Sequence, residues 1–222
     1  MTKKVTNYSF WNEPSNVEDS KFTTPLPSKE FLMKFIPKHG KVLDFGCGYG
    51  RLTKLLVDYG YKVVGVDISK PLIDQAKKLC PNALFRVSSV QGYNPEYDGP
   101  FDAILILAVI ENIISLKERE DLAKKISKSL KKGGILLIET FIYDERNNKQ
   151  YVSNHIDGES KGVFFVKKGS SKLTLFNDTV FGIDRLFIES NLKKVYLENV
   201  DFTTWSNEKQ KGYVAVFIKE KI

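Results

Sequence analysis

The chain has 222 residues, 42% of them hydrophobic and 12% aromatic, which suits one domain with a substantial core. Its net charge of +7 would fit a polyanion, but Arg-rich arms and interleaved aromatic–basic segments are missing, so nucleic acid is an open partner that is not favoured. No apolar run approaches the ~20 residues that span a bilayer, and two cysteines make no disulfide framework; the expected setting is a reducing cytoplasm.

Residues 1–28 read as irregular, broken by Pro14, Pro25 and Pro27. They lack the continuous apolar core of a signal peptide. Yet Tyr8, Phe10, Trp11, Phe22 and Leu26 are too apolar for a free tail, so the segment is expected to fold over another surface. Phe10 and Trp11 either close over a bound ligand or staple the segment to the domain. Ser28 then caps a helix that runs to Ile36, with Phe31, Leu32, Phe35 and Ile36 at helical spacing. Pro37 and Gly40 break the chain before a first strand, Lys41 to Phe45.

That strand runs into Asp44-Phe45-Gly46-Cys47-Gly48-Tyr49-Gly50, a D-x-G-x-G-x-G turn. Glycines let the backbone turn sharply and approach a ligand where a Cβ would clash. A helix follows from Arg51 to Tyr59, with Leu52, Leu55 and Leu56 inward and Gly60 as its stop. The second strand, Tyr61 to Val66, ends in Asp67, 21 residues beyond Gly46. A carboxylate at that distance, on the tip of the second strand, can accept both hydroxyls of a ribose. A dinucleotide site would want G-x-G-x-x-G, and Asp44 would repel a pyrophosphate. Asp44 suits instead a ligand that carries an ammonium group. Each acid alone could merely cap its turn. Ile68 either packs on an adenine face or belongs to the core.

Ser69, with Pro71 in the first turn, opens the next helix. Asp74 comes early in it and Lys77 and Lys78 late, and residues 116–132 repeat that order of acids before lysines. The arrangement complements a helix dipole, which accounts for many lysines as solvated helix ends. A short third strand, Leu84 to Val87, precedes Ser88-Ser89 and a turn-rich loop, Gln91 to Pro100. The fourth and fifth strands are Ala103 to Leu107 and Ile135 to Phe141. Continuous apolar strands that alternate with helices make a parallel sheet covered on both faces. Leu107 and Ala108 then fall at the strand tip where such sheets bind ligands.

Beyond the fifth strand, Tyr143 to Gly162 is polar and too long for a simple connection, as lids and binding loops are. Val163 to Val166 and Leu173 to Phe176 flank Gly169-Ser170-Ser171 as a hairpin. Asp178 to Ser190 reads as a helix. Lys193 to Thr204 and Gly212 to Lys219 read as strands, made antiparallel by their short connection.

On the glycine turn, on Phe101–Asn112 and on Leu130–Glu139 with its Gly133-Gly134 turn, the sequence resembles the class I S-adenosylmethionine-dependent methyltransferases of the small-molecule type. The resemblance implies an α/β, Rossmann-like fold: a doubly wound, seven-stranded, mostly parallel sheet with an antiparallel C-terminal hairpin. It implies one domain over 1–222. Within it, 1–39 form an N-terminal lid and helix, 40–142 the cofactor-binding core, 143–177 a variable substrate region, and 178–222 the last helix and hairpin. It implies S-adenosylmethionine as cofactor, held by Asp44, Phe45, Gly46, Cys47, Gly48, Asp67, Ile68, Ser89, Val90 and Leu107. The chain departs from the family in two places. Glu111-Asn112 stands where many members have Glu-His, and Ser88-Ser89 where many have an acid for the adenine amine. A hydroxyl or backbone group then takes that acid's place.

Glu111 is a candidate substrate-facing acid or general base, or else an acid that stabilises a first helical turn. His155, in the long loop, is a candidate base or a surface histidine. With two histidines and no Cys/His cluster, no metal is expected. The family's Asn/Asp-Pro-Pro-aromatic motif for methylating nucleic-acid amines is replaced by Leu107-Ala108-Val109-Ile110. The expected function is methyl transfer to a small-molecule acceptor. An RNA or protein methyltransferase, and a non-catalytic binder of the cofactor or its product S-adenosylhomocysteine, are the alternatives.

Overall fold

The computed structural model describes residues 7–17, 26–89, 91–143, 162–168, 171–203 and 209–220. Its centre is the apolar run β1 (Lys41–Phe45), paired in parallel with β2 (Lys62–Asp67) on one side and β4 (Phe101–Leu107) on the other. Beyond β2 lies β3 (Leu84–Val87), and beyond β4 lies β5 (Leu130–Phe141), both also parallel. β9 (Lys209–Lys219) is antiparallel to β5 and to the edge strand β8 (Leu192–Thr203). The seven-stranded order is therefore β3-β2-β1-β4-β5-β9-β8. This is the mostly parallel sheet with an antiparallel hairpin that the sequence implied. Every parallel connection delivers its strand's carboxyl end to the same edge of the sheet.

Alternation along the strands divides the core in two. Leu43, Ile104, Leu136 and Ile138 face α6 (Leu116–Ser129) and α7 (Val180–Ile188), through Leu122, Ile126, Ile183 and Phe187. Val42, Ala103, Leu105 and Leu137 face α3 (Lys29–Phe35) and α4 (Arg51–Asp58), through Leu32, Leu52 and Leu56. A smaller cluster joins Ile73 and Ala76 of α5 (Lys70–Leu79) to Cys47, Cys80 and Phe85.

The structure differs from the sequence reading at several ends. The fifth strand starts at Leu130, which pairs with Phe101, and the register shifts before Ala103 meets Ile135. Gly133 sits at φ 78°, a conformation a side chain would resist, and lets the strand continue. α7 is shorter than expected, because Thr179 caps it by accepting from Gly182 N. The N-terminal segment holds two short helices, α1 (Tyr8–Asn12) and α2 (Pro14–Val17), which anchor through buried Phe10 and Val17. Helices this short have no stability of their own, so local propensity does not reveal them. β6 (Val163–Lys168) and β7 (Ser171–Phe176) form a separate two-stranded sheet.

Gly65 lies in mid-β2, where an added Cβ would stand 2.7 Å from the Phe85 ring and 3.0 Å from Cys47 Sγ. Gly65→Ala is therefore expected to destabilise the fold by about 1–3 kcal/mol through overpacking. Urea denaturation reads this as a lowered midpoint at unchanged slope.

Candidate active site

The turn between β1 and α4 holds Gly46, Gly48 and Gly50 at φ 81°, 54° and 88°, in the left-handed region that favours glycine. Gly46 N and Cys47 N both donate to Val66 O, at 2.7 and 3.0 Å, which ties the turn to the tip of β2. A Cβ on Gly46 would fall 2.1 Å from Val109 Cγ2, so the turn after β4 rests on this glycine. Above Gly48 the situation is opposite: a Cβ would meet nothing within 4 Å. The turn therefore has a packed floor and an open roof.

Asp67 stands beside that opening. Its carboxylate accepts from Gly48 N at 2.9 Å and from Ser69 N at 2.8 Å, one bond per oxygen. A carboxylate has about four lone-pair sites, so each oxygen keeps capacity for a ligand hydroxyl. Asp44, 3% exposed, lies beneath the turn and accepts from Thr53 Oγ1 at 2.6 Å. Burial pushes its pKa up to about 7, against the opposing bond from Thr53, and the nearby Asp67 adds to the rise. Burial also raises Asp67, whose backbone N–H donors oppose it.

Two further acids converge at the same edge. Glu111 lies in the 3-10 turn Ile110–Asn112 after β4, is 3% exposed and accepts from Thr140 Oγ1 at 3.0 Å. Burial pushes its pKa up to about 7. Glu139, near the end of β5, is 7% exposed. Its pKa also rises to about 7, first through burial and then through the charge of Glu111, while Arg51 pulls it down. Glu139 was not foreseen from sequence as a site residue. It carries the same signal as Asp44 and Asp67, an acid closing an apolar strand.

The other anticipated residues fall as follows. Phe45 is buried in the core against Tyr93, with ring centroids 6.3 Å apart, so it offers the site only its backbone. Cys47 also turns into the core, where burial raises its thiol well above its ordinary value. Leu107, at the β4 tip, and Ile68, after β2, are half-buried. Ser89 is half-buried too, and its hydroxyl accepts from Gly92 N at 3.1 Å. Val90 and His155 lie outside the described residues, as does most of the long polar loop.

α1 covers this edge. Asn7 is buried and makes two bonds with the Thr174 backbone of β7, at 2.6 and 3.1 Å. Trp11 Nε1 donates to Asn112 Oδ1 at 3.2 Å, and Trp11 O accepts from Ser69 Oγ. Asn12 donates to Ile68 O and accepts from Lys70 N. The segment thus bridges the tips of β2 and β4 and the β6–β7 hairpin. Asn7, Asn12 and Thr53 had no sequence signal, since their partners are 9 to 167 positions away. A surface groove of about 410 Å³ lies at the opposite end of the sheet, lined by Lys34, Asp102 and Lys131, and is remote from these groups. Among the described residues no three His, Cys, Asp or Glu side chains could hold a metal ion.

Residues 43–138 match the family model of a methyltransferase domain. Over 205 residues the chain is 31% identical to "Putative methyltransferase 235L" of Invertebrate iridescent virus 6, covering 90% of this chain and 73% of that protein. The chain belongs to the class I S-adenosylmethionine-dependent methyltransferases. It is also 26% identical over 215 residues to the mitochondrial ubiquinone biosynthesis O-methyltransferase of Homo sapiens, of which it spans 56%. The fold matches a crystal structure of an S-adenosylmethionine-dependent methyltransferase from Methanosarcina mazei, with a TM-score of 0.78 and 20% identity, over 88% of this chain and 99% of the other. S-adenosylmethionine is accordingly the cofactor of this enzyme. The open roof over Gly48 and the spare capacity of Asp67 fit it.

The buried acids make stability depend on pH. Asp44 holds its proton in the folded chain up to about pH 7, whereas an unfolded aspartate ionises near 3.8. A carboxyl raised in this way adds stability below its unfolded pKa, and that contribution is lost as pH rises through about 7. Urea unfolding of the ligand-free protein should therefore show stability falling from about pH 5 to about pH 7. Asp44→Asn should flatten part of that slope.

Proposed function

We propose that this methyltransferase acts on a small-molecule acceptor. The carrying observation is α1 with its preceding residue Asn7, bonded at once to Asn112, Ile68, Ser69 and Thr174 across the carboxyl edge. A strap so placed would narrow access to the edge, which suits a small acceptor better than a nucleic-acid duplex or a folded protein. The human relative, named for ubiquinone biosynthesis, supports the same class. Two buried free cysteines, and no helix among the described residues long and apolar enough to cross a membrane, accord with a reducing aqueous compartment.

In this reading Asp67 takes the ribose hydroxyls and Asp44 the ammonium of the cofactor's amino-acid tail. The backbone from Phe45 through Gly48 lies along that tail. Ile68 and Leu107 supply apolar faces, and Ser89, with its neighbour Val90, meets the adenine in place of the family's acid. S-adenosylmethionine supplies a methyl carbon already activated by its sulfonium. The chain's own work is to align the acceptor with that carbon and to exclude water, and α1 serves the second task. Glu111, buried and with a pKa near neutrality, is the described residue suited to take a proton from the acceptor.

Isothermal calorimetry should show one S-adenosylmethionine or S-adenosylhomocysteine per chain and no heat with NAD. Asp67→Ala should weaken that binding by about 2–4 kcal/mol, since each bond to a charged acceptor is worth ~1.5–3 kcal/mol. Unchanged affinity would move the ribose away from β2. The strap has its own test. Deleting residues 1–20 should leave a folded domain with weaker cofactor binding and little transfer to any small acceptor. Full turnover by the truncated chain would reduce α1 to a surface brace.

A further inference from the structure

Among the described residues, no hydrogen-bond or ion-pair partner gives the Glu139 side chain a structural task. It is buried near the end of β5, and its Oε1 has no hydrogen-bond partner among the described residues. A buried carboxyl oxygen left without a donor is unfavourable, because its lost hydration is not replaced. An apolar residue would serve a strand end better. Along β5, Ile135 and Leu137 face α3 and α4, so alternation puts Glu139 on the side of Arg51, the first residue of α4. Thr140 takes the other side and holds Glu111. The two carboxylates thus approach the rim of the sheet from its two faces, near enough for the charge of Glu111 to raise the pKa of Glu139 while Arg51 lowers it.

Resting on the methyltransferase reading above, we propose that Glu139 and Glu111 form the acceptor subsite, and that the acceptor is a small amine bound through its ammonium or N–H groups. An unmet oxygen asks for a donor, and a pair of acids asks for a cation. A carboxylate acceptor would be repelled here. The cofactor's own ammonium is the other source of such a group. It is served by Asp44 on β1, which lies two strands away, roughly 10 Å across the sheet. One ammonium cannot reach both places.

The chemistry closes with these residues. The bound ammonium gives a proton to a carboxylate of the pair, which leaves a nitrogen lone pair. That pair forms the N–C bond to the methyl carbon as the C–S bond breaks, and the electrons of the C–S bond stay on sulfur. The methylated product leaves as an ammonium, and the carboxyl returns its proton to water. Both acids ionise near pH 7, so they can take up and release that proton at neutral pH.

The test is calorimetry on the full chain saturated with S-adenosylhomocysteine, with benzylammonium, benzyl alcohol and benzoate as probes. Benzylammonium should bind at least about tenfold more tightly than the other two. Its affinity should rise from about pH 6 to about pH 8, as the pair ionises. Glu139→Gln should lower that affinity by about 10- to 100-fold and flatten the pH response, with S-adenosylhomocysteine affinity kept within about threefold. Glu111→Gln, checked like the first variant for an intact unfolding transition, should act in the same direction. Four results would overturn the proposal: no benzylammonium binding, equal binding of benzoate or the alcohol, Gln variants that bind as wild type does, and a Glu139→Gln defect in S-adenosylhomocysteine affinity instead. Failure of the unmodified chain to bind S-adenosylhomocysteine at all would strike the reading of the cofactor site, and is seen before any amine is added.

Discussion

Negative charge held out of water at one edge of the sheet is the constraint around which this molecule is organised. Asp44, Asp67, Glu111 and Glu139 all come to the carboxyl ends of β1, β2, β4 and β5, and burial raises the pKa of each. An isolated buried carboxylate is too costly to persist, so it finds donors or keeps its proton. The chain uses both routes. Asp67 takes backbone N–H donors from Gly48 and Ser69, Asp44 and Glu111 take hydroxyls from Thr53 and Thr140, and among the described residues Glu139 has the charge of Arg51 in its favour. The order runs from best to least satisfied. A ligand with cationic and hydroxyl groups would complete what the described residues leave incomplete.

The rest of the fold makes that edge tolerable. Two apolar layers flank the parallel sheet, and Leu43, Ile104, Leu105 and Ile138 are fully buried beneath the acids. Such a core offsets several unfavourable groups. It also fixes their positions, because a close-packed interior does not yield to a charge that would move toward water. The contact between Gly46 and Val109 shows the same coupling locally. The glycine turn after β1 and the turn that carries Glu111 touch each other, so neither shifts alone.

Most of the architecture was legible because it rests on short-range pattern. β1 and β2 are continuous apolar runs that end in acids, and the glycines between them allow few conformations. Ser69 with Pro71, and Ser28 before its helix, mark starts that the structure keeps. What stayed hidden depends on distant partners. α1 and α2 are too short to show in any periodicity, and exist because Phe10 and Val17 find a surface. Thr53 is an unremarkable helix residue until Asp44 lies against it. Phe45 and Cys47 were read as cofactor neighbours from their place in the motif. The fold sends both side chains inward: strand alternation turns Phe45 away from the face of Asp44, and the glycine turn packs Cys47 against Ile73, Ala76 and Phe85.

Under the proposed reading, the same alternation lets one edge serve two ligand groups. On β1 the residue after Val42 and Leu43 is Asp44, and it points to the α4 layer, where Thr53 waits. On β5 Glu139 points to that layer too, and Thr140 to the opposite one, where it meets Glu111 from the turn after β4. β4 runs between these two acid-bearing strands and ends without an acid, in Leu107. An apolar strand tip between two polar ones divides the edge into a glycine-lined half and a half lined by Glu111 and Glu139. Methyl transfer needs that division, because donor and acceptor must meet tip to tip while their polar groups are held apart.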